Sequence, residues 1–326
     1  MKPPAHRRLA GVACFAMAGS LSLLVLVTAS DTRSSAAHAP VPSGQSLPAA
    51  DGKKAALQQA LERRIQAIAD SVDGVMGYEV MDLTTGARFG RLQNEVFPTA
   101  STIKIAILYE LFKQADERRL NLDEPVTLDR RHVVGGSGVL AELTAASMPL
   151  RDYATLMIVL SDNTAANFVI DTVGMTAVTT RMAALGLPAT KLRRRMMDVD
   201  AARRGDENVS TPAETARLLE IVYRGHGFTK NDQGGLLGIL RKAKTSPMRR
   251  SIPDSVSVAN KPGELDGVAV DAGIVYLDGR PYIFSAMLTY LKDGAAGEAA
   301  IEEASRVVYE HFARLAGSSE YGRTIR

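Results

Sequence analysis

Residues 97–108, FPTASTIKIAIL, place a serine and a lysine three positions apart at the start of a strongly apolar helix. Side chains at i and i+3 lie on one helix face, so the ammonium of Lys104 can approach the hydroxyl of Ser101. A serine is a weak nucleophile until a base accepts its proton, and a desolvated lysine titrates low enough to help. Alone, this short pattern is more typical of a capping serine followed by a surface lysine.

Two further polar motifs follow where the chain changes from one predicted element to the next. SDN, residues 161–163, lies at a helix-to-helix junction, where short polar side chains either cap the next helix or face a cleft. KPG, residues 261–263, lies on a predicted strand after a helical block. A cation and a glycine in a strand can approach a bound anion closely, although the pair alone is weak evidence.

The order S-x-x-K, S-D-N and K-x-G resembles the class A β-lactamase branch of the penicillin-recognising superfamily of active-site serine hydrolases. The similarity covers residues 53–316. It implies an α/β fold of the β-lactamase/transpeptidase type, with an antiparallel sheet flanked by helices and an inserted all-α subdomain. The hydropathy pattern agrees, because an α/β layer in residues 53–100 and 246–316 is interrupted by helical patterns in residues 101–245.

The resemblance implies a catalytic role for four matching side chains. Ser101 would attack a β-lactam or peptidyl carbonyl, and Lys104 would be its activating base or electrostatic partner. Ser161 would relay a proton to the leaving nitrogen. Asn163 would orient Lys104 and the substrate amide.

Substrate binding is assigned by the same resemblance to the strand that carries KPG. Lys261 would attract the substrate carboxylate, Gly263 would allow close backbone contact, and the backbone N–H groups of Ser101 and Glu264 would form the oxyanion hole. Pro262 stands where the family usually has Thr or Ser. Proline offers neither a hydroxyl nor an N–H, and losing one charge-assisted hydrogen bond weakens recognition by ~1.5 to 3 kcal/mol.

Residues 190–214, TKLRRRMMDVDAARRGDENVSTPAE, resemble the loop that carries the deacylating glutamate in class A enzymes. Arg194 matches the arginine that anchors this loop, and Met196 falls at the position of the glutamate. Methionine cannot accept a proton from water, so the sequence predicts slow deacylation. A shift of the alignment by one residue would place Met197 there, with the same consequence.

Three acidic residues of this loop and one of a later strand have open roles. Asp198 and Asp200 either replace the missing base or hold the loop through pairs with the arginines at 193–195. Glu207 is expected to be a loop-end or capping residue. Asp271, within the alternating run VAVDAGIVYL, is expected to face solvent, with a position in the cleft as the alternative.

Residues 1–30 have the layout of a secretory signal peptide, with three basic residues, a long apolar run and small residues at its end. An uncleaved anchor helix is the alternative, because the run approaches the ~20 residues that span a bilayer. Either interpretation implies export, to the periplasm or the medium. Residues 31–52 are typical of a flexible linker, and residues 317–326 of a C-terminal tail. Cys14, the one cysteine, lies in the apolar run.

Composition excludes several classes of function. The formal net charge of +3 equals that of residues 1–30, whose three basic residues have no acidic counterpart, so residues 31–326 carry zero. Without a basic surface or tryptophan, nucleic-acid binding is not expected. The five histidines lack metal-ligand spacing, so no metal and no cofactor are predicted.

The sequence therefore predicts an exported, monomeric serine hydrolase of the class A β-lactamase type. Its partner would be a small-molecule β-lactam or a cell-wall peptide, with membrane contact only through the signal or anchor segment. Two alternatives stay open: a protein that traps such ligands without turnover, and a peptidase or esterase for another substrate.

Overall fold

The computed structural model describes residues 49–325. The predicted signal peptide, Cys14 and the linker up to residue 48 lie outside the described residues. Helix α1 begins at Ala49, within the segment assigned to the linker, so the boundary at residue 52 is too late. Alanine, lysine, leucine and glutamine favour helix strongly enough to offset Gly52, which costs about 1 kcal/mol in a helix.

Helices and strands alternate unevenly along the chain. The helices are α1 Ala49–Ser71, α2 Lys104–Asp116, α3 Leu150–Val159, α4 Asn163–Val173, α5 Met175–Ala184, α6 Val199–Arg203, α7 Pro212–Arg224, α8 Lys230–Arg241, α9 Pro247–Arg250 and α10 Gly294–Ala316. The strands are β1 Val75–Asp82, β2 Arg88–Arg91, β3 Phe97–Pro98, β4 Pro125–Thr127, β5 Ser147–Pro149, β6 Val209–Ser210, β7 Val258–Leu265, β8 Val268–Val275 and β9 Tyr282–Thr289.

The first two strands and the last three form one antiparallel sheet in the order β2-β1-β9-β8-β7. Two separate parts of the sequence therefore share one layer, and the block α2 to α8 is inserted between them. This arrangement confirms the predicted fold class. Strand β7, which carries KPG, is an edge strand, so its outer side is free to border a cleft.

Both faces of the sheet are covered, and each face has its own core. In β9, Tyr282 and Phe284 pack into the core formed with α1 and α10, whereas Ile283 packs into the core formed with the helical block. This alternation is the two-residue period of a strand. Because helices cover both faces, the strand reads as a continuous apolar run.

Helix α7 shows how the sequence sets the end of the long loop that precedes it. The side chain of Thr211 accepts a hydrogen bond from the backbone N–H of Glu214, and Pro212 occupies the first turn. Gly225 ends the helix in a left-handed conformation with φ of 69°. The Ser-Thr-Pro signal in the sequence therefore marks a real helix start.

The expected solvent-facing position of Asp271 is wrong. This residue lies in β8, where the whole strand is buried, and its own exposure is 0%. The alternation VAVDAGIVYL suggested one solvated face, but α9 and α10 pack over β8 and remove water from that face as well. Asp271 is also absent from the cavities beside Ser101.

Between residues 49 and 325, no helix is long and apolar enough to cross a membrane. The same part of the chain contains no group of three or more His, Cys, Asp or Glu side chains placed to hold a metal ion.

Candidate active site

Ser101 lies in a 3₁₀ turn, Ala100–Ile103, that leads directly into α2. Ala100 has φ of 44°, a left-handed conformation that is costly for a residue with a Cβ and is found at functional sites. A Cβ added to Gly263 would lie 2.6 Å from the backbone nitrogen of Ser101. Glycine therefore lets β7 approach the backbone of the serine.

Lys104 is fully buried beside Ser101, so it is not a surface lysine. Its Nζ lies 3.1 Å from Oγ of Ser101, 2.7 Å from the carbonyl oxygen of Ser161 and 3.0 Å from Oδ1 of Asn163. Burial lowers its pKa well below the ordinary value, and the positive charge of Lys261 adds to the shift. A neutral amine can donate to the two carbonyl oxygens and keep its lone pair for the hydroxyl proton of Ser101.

Ser161 links the two lysines to the first serine. Its Oγ lies 2.9 Å from Oγ of Ser101 and 3.1 Å from both Lys104 Nζ and Lys261 Nζ. The residue has φ of 54°, again in the left-handed region. A hydroxyl in this position can pass a proton between a lysine and a group bound at Ser101.

Asp162 holds the junction that places Ser161 and Asn163. Its Oδ1 accepts the backbone N–H of Ala165 at 2.8 Å and so caps α4. Its Oδ2 accepts the backbone N–H of Val139 at 2.7 Å. The two interpretations of SDN both apply, because Asp162 caps the helix while its neighbours face the site.

Lys261, the third motif's cation, is 1% exposed and comes from β7. Its Nζ donates to Oγ of Ser161 at 3.1 Å and to the carbonyl oxygen of Pro262 at 2.7 Å. Burial lowers its pKa to about 7, with the negative charge of Asp271 opposing the shift and Lys244 adding to it. Near neutral pH the lysine is therefore poised between its charged and neutral forms.

A buried polar network behind Lys261 was missed by the sequence analysis. Asp271 accepts hydrogen bonds from the hydroxyl of Ser246, from the backbone N–H of Met248 at 3.2 Å and from Nδ2 of Asn260 at 2.9 Å. Burial raises the pKa of Asp271, and these donors oppose that shift. The sequence feature that could have indicated this network is an aspartate within an otherwise apolar strand.

Two cavities meet at Ser101. The polar cavity, about 470 Å³, is lined by Ser101, Ser161, Lys261 and Glu264. The loop cavity, about 540 Å³, is lined by Ser101 and Asn163 and by apolar residues that include Met196. Both volumes suit a small-molecule ligand, which therefore has space on each side of the hydroxyl.

Two sets of hydrogen bonds fix the RRRMM segment of the long loop, residues 193–197. Nε of Arg194 lies 3.0 Å from Oε1 of Glu207, and its Nη2 lies 2.8 Å from the same oxygen. The backbone N–H of Met196 donates to Oδ1 of Asn167 at 2.8 Å, and its carbonyl accepts from the same amide at 3.2 Å. Met196 is 7% exposed and has a defined backbone position on the loop cavity.

The structure does not bring Asp198 and Asp200 to the site. Asp198 caps α6 by accepting the backbone N–H of Ala201 at 2.9 Å, and exposed Asp200 pairs with Arg203 at 3.2 Å. Neither aspartate lines the cavities at Ser101, and neither pairs with the arginines at 193–195, so both interpretations are wrong. The loop arginines pair elsewhere: Arg193 with Asp206, Arg194 with Glu207 and Arg195 with Asp171.

A serine hydroxyl flanked by a buried lysine, a second serine and a second buried lysine defines the class of active-site serine hydrolases. The profile of the β-lactamase enzyme family matches residues 60–312, and the chain belongs to this family.

Three relatives show how far the similarity extends. The imipenem-hydrolysing β-lactamase of Enterobacter cloacae is 28% identical over 248 residues, which cover 73% of this chain and 85% of the relative. A β-lactamase of Streptomyces fradiae is 28% identical over 261 residues, covering 77% and 85%. A point mutant of PBP-A, solved as an acyl-enzyme complex with penicillin G, superposes with TM-score 0.72 at 28% identity and covers 79% of this chain and 97% of its own.

Proposed function

We propose that this protein is an exported, monomeric serine hydrolase that is acylated at Ser101 by a β-lactam or a related cell-wall peptide amide and releases the acyl group slowly. The contact of Nζ of Lys104 with Oγ of Ser101, at 3.1 Å in a buried site, carries the proposal. Three β-lactam-related relatives of known activity or ligand support the substrate class. The secretory layout of residues 1–30 supports export to the periplasm or the medium.

During acylation, the groups around Ser101 act one after another. Oγ attacks the carbonyl carbon while its proton moves to neutral Lys104, and the developing oxyanion is bound by the backbone N–H groups of Ser101 and Glu264. The carbon–nitrogen bond then breaks. Ser161 donates its proton to the leaving nitrogen and regains one from Lys104, so the proton taken from Ser101 ends on the product.

Deacylation is slow because Met196 stands at the loop position where the resemblance to class A enzymes places a glutamate. A water that attacks the ester needs an acceptor for its proton, and the side chain of Met196 offers none. Glu207, which also lines the loop cavity, is engaged by Arg194. The acyl-enzyme therefore persists, which makes trapping of a β-lactam or wall peptide the second candidate function.

Intact-mass spectrometry after addition of penicillin G to the purified chain tests the proposal. We expect a stoichiometric adduct of the ligand's mass that persists for many minutes. Absence of an adduct, together with unchanged penicillin, would contradict acylation at this site. A parallel screen of chromogenic esters identifies the remaining alternative, a peptidase or esterase with another substrate, if esters alone are turned over.

Acylation by a ligand with a free carboxylate should slow as pH rises through about 7. A lysine is cationic below its pKa and neutral above it, so Lys261 loses its charge above about 7. Losing one charge-assisted hydrogen bond to the substrate carboxylate reduces the acylation rate roughly tenfold. Stopped-flow measurement of the acylation rate between pH 6 and 9, with a penicillin and with its methyl ester, tests this prediction. An equal decline in rate for both ligands would refute the role of Lys261.

A further inference from the structure

A separate basic cavity of about 570 Å³ lies among the start of α1, the end of α10 and the last residues of the described chain. It shares no lining residue with the two cavities at Ser101. Four cationic side chains line it: Lys53, Lys54, Arg280 and Arg314. Its volume is that of a small-molecule site, and no role in the hydrolase reaction explains it.

The predicted C-terminal tail is an ordered wall of this basic cavity. Residues 317–325 turn back on themselves: the backbone N–H of Ser319 donates to the carbonyl of Arg323, and that of Ile325 to Gly317, each at 2.8 Å. Nζ of Lys53 lies 3.4 Å from the carbonyl oxygen of Tyr321 and ties α1 to this wall. Because its backbone is hydrogen-bonded, the wall can present hydroxyl groups in fixed positions.

Within residues 49–325, the cationic side chains around the basic cavity outnumber the carboxylates that neutralise them. Arg280 pairs with Asp82 at 2.8 Å, whereas Lys53, Lys54 and Arg314 form no ion pair with the described side chains. Glu320 is the one carboxylate among the lining residues. Three unpaired cations against one carboxylate leave a charge of +2.

A neighbouring histidine responds to the same positive field. His311 lies beside this end of α10 and is 8% exposed. Burial lowers its pKa to about 4, and the positive charges of Arg314 and Arg280 add to the shift. The local environment therefore disfavours further positive charge.

We propose that the basic cavity binds a dianionic phosphate group. A phosphate monoester carries a charge of about −1.5 to −2 at pH 7 and so matches the unbalanced charge of +2. A ligand with a single carboxylate would neutralise only half of that charge. Arginine and lysine are the side chains that recognise phosphate, and Ser319 and Thr324 line the same space with hydroxyls that can donate further hydrogen bonds. This site is independent of the reaction proposed for Ser101.

Thermal unfolding of the purified chain in methyl phosphate, against sodium chloride at equal ionic strength and pH 7.5, tests the site. A ligand that binds only the folded state raises Tm, and we expect a rise of several degrees for the wild type. The double variant Lys54→Gln/Arg314→Gln should lose this rise, and Lys230→Gln/Lys242→Gln, which removes two exposed lysines elsewhere, should keep it. Each variant serves as its own reference in chloride.

Two companion probes identify the form of the ligand. Dimethyl phosphate, a monoanion, should raise Tm less than methyl phosphate does. If the chain sediments with vesicles that contain phosphatidic acid, and Lys54→Gln/Arg314→Gln does not, a lipid headgroup is a source of the phosphate. If the wild-type chain does not sediment with them, the ligand is a soluble phosphate ester. An equal Tm rise in both double variants, or vesicle binding without any Tm rise, would overturn the proposal because phosphate would then act outside the cavity.

Discussion

Replacing Ser101 with alanine should abolish the covalent penicillin adduct. The hydroxyl at this position lies 3.1 Å from the buried amine of Lys104 and 2.9 Å from Oγ of Ser161, and alanine removes the attacking atom from that network. The loss expected for a catalytic serine is on the order of 10⁶-fold in rate. Intact-mass spectrometry of the variant after exposure to penicillin G should show only the unmodified chain.

The matched control is Ser137→Ala. Ser137 lines both cavities that meet at Ser101, but its backbone carbonyl rather than its hydroxyl makes the contact to the site, with the N–H of Asn163 at 3.0 Å. This variant should form the adduct at the wild-type rate within about twofold. An adduct that survives Ser101→Ala would show that a different nucleophile is acylated. Unfolding curves for both variants exclude loss of structure as the cause.

Replacing Met196 with glutamate should convert the proposed slow release of the acyl group into turnover. The backbone at this position is clamped by Asn167, so a glutamate would extend from a defined point into the loop cavity beside Ser101. A positioned general base contributes about 10²- to 10⁴-fold. Steady-state hydrolysis of penicillin G and the lifetime of the adduct in mass spectrometry measure the gain.

Met197→Glu is the control for the change in charge. Met197 is 48% exposed and also lines the loop cavity, so the variant adds the same carboxylate one residue away. It should leave the adduct's lifetime unchanged. Multiple fast turnovers by the wild-type chain would contradict the role assigned to Met196. Because Met196 is 7% exposed, its glutamate variant should also unfold at a lower temperature, as burial disfavours a carboxylate.

Much of the candidate site was accessible from local sequence patterns. Ser101 and Lys104 were predicted to meet because residues three apart share a helix face, and their side-chain atoms lie 3.1 Å apart. The split α/β layer was readable because the two-residue and helical periods of hydropathy report which faces are buried. Family resemblance supplied the joint meaning of motifs that are individually weak.

The sequence analysis was wrong about two aspartates, for different physical reasons. Asp271 was expected in water, but the packing of α9 and α10 over β8 encloses it, and Ser246 and Asn260 provide its hydrogen bonds. Asp198 was considered as a base, but a short helix begins at the next residue and uses its carboxylate as a cap. The burial of Asp271 therefore depends on distant elements, whereas the cap formed by Asp198 is a local contact with Ala201 that capping preference could have indicated.

The sequence by itself predicted the fold class and the pairing of Ser101 with Lys104, because hydropathy and short-range spacing act through local geometry. The family resemblance added Ser161 and Lys261 as further groups around the same hydroxyl. Only the tertiary structure decided which ionisable groups are buried away from water. It enclosed both lysines, which lowers their pKa values, and gathered the unpaired cations of the basic cavity from α1 and α10. Desolvation and electrostatic fields depend on everything within several ångströms, and most of those neighbours are distant along the chain.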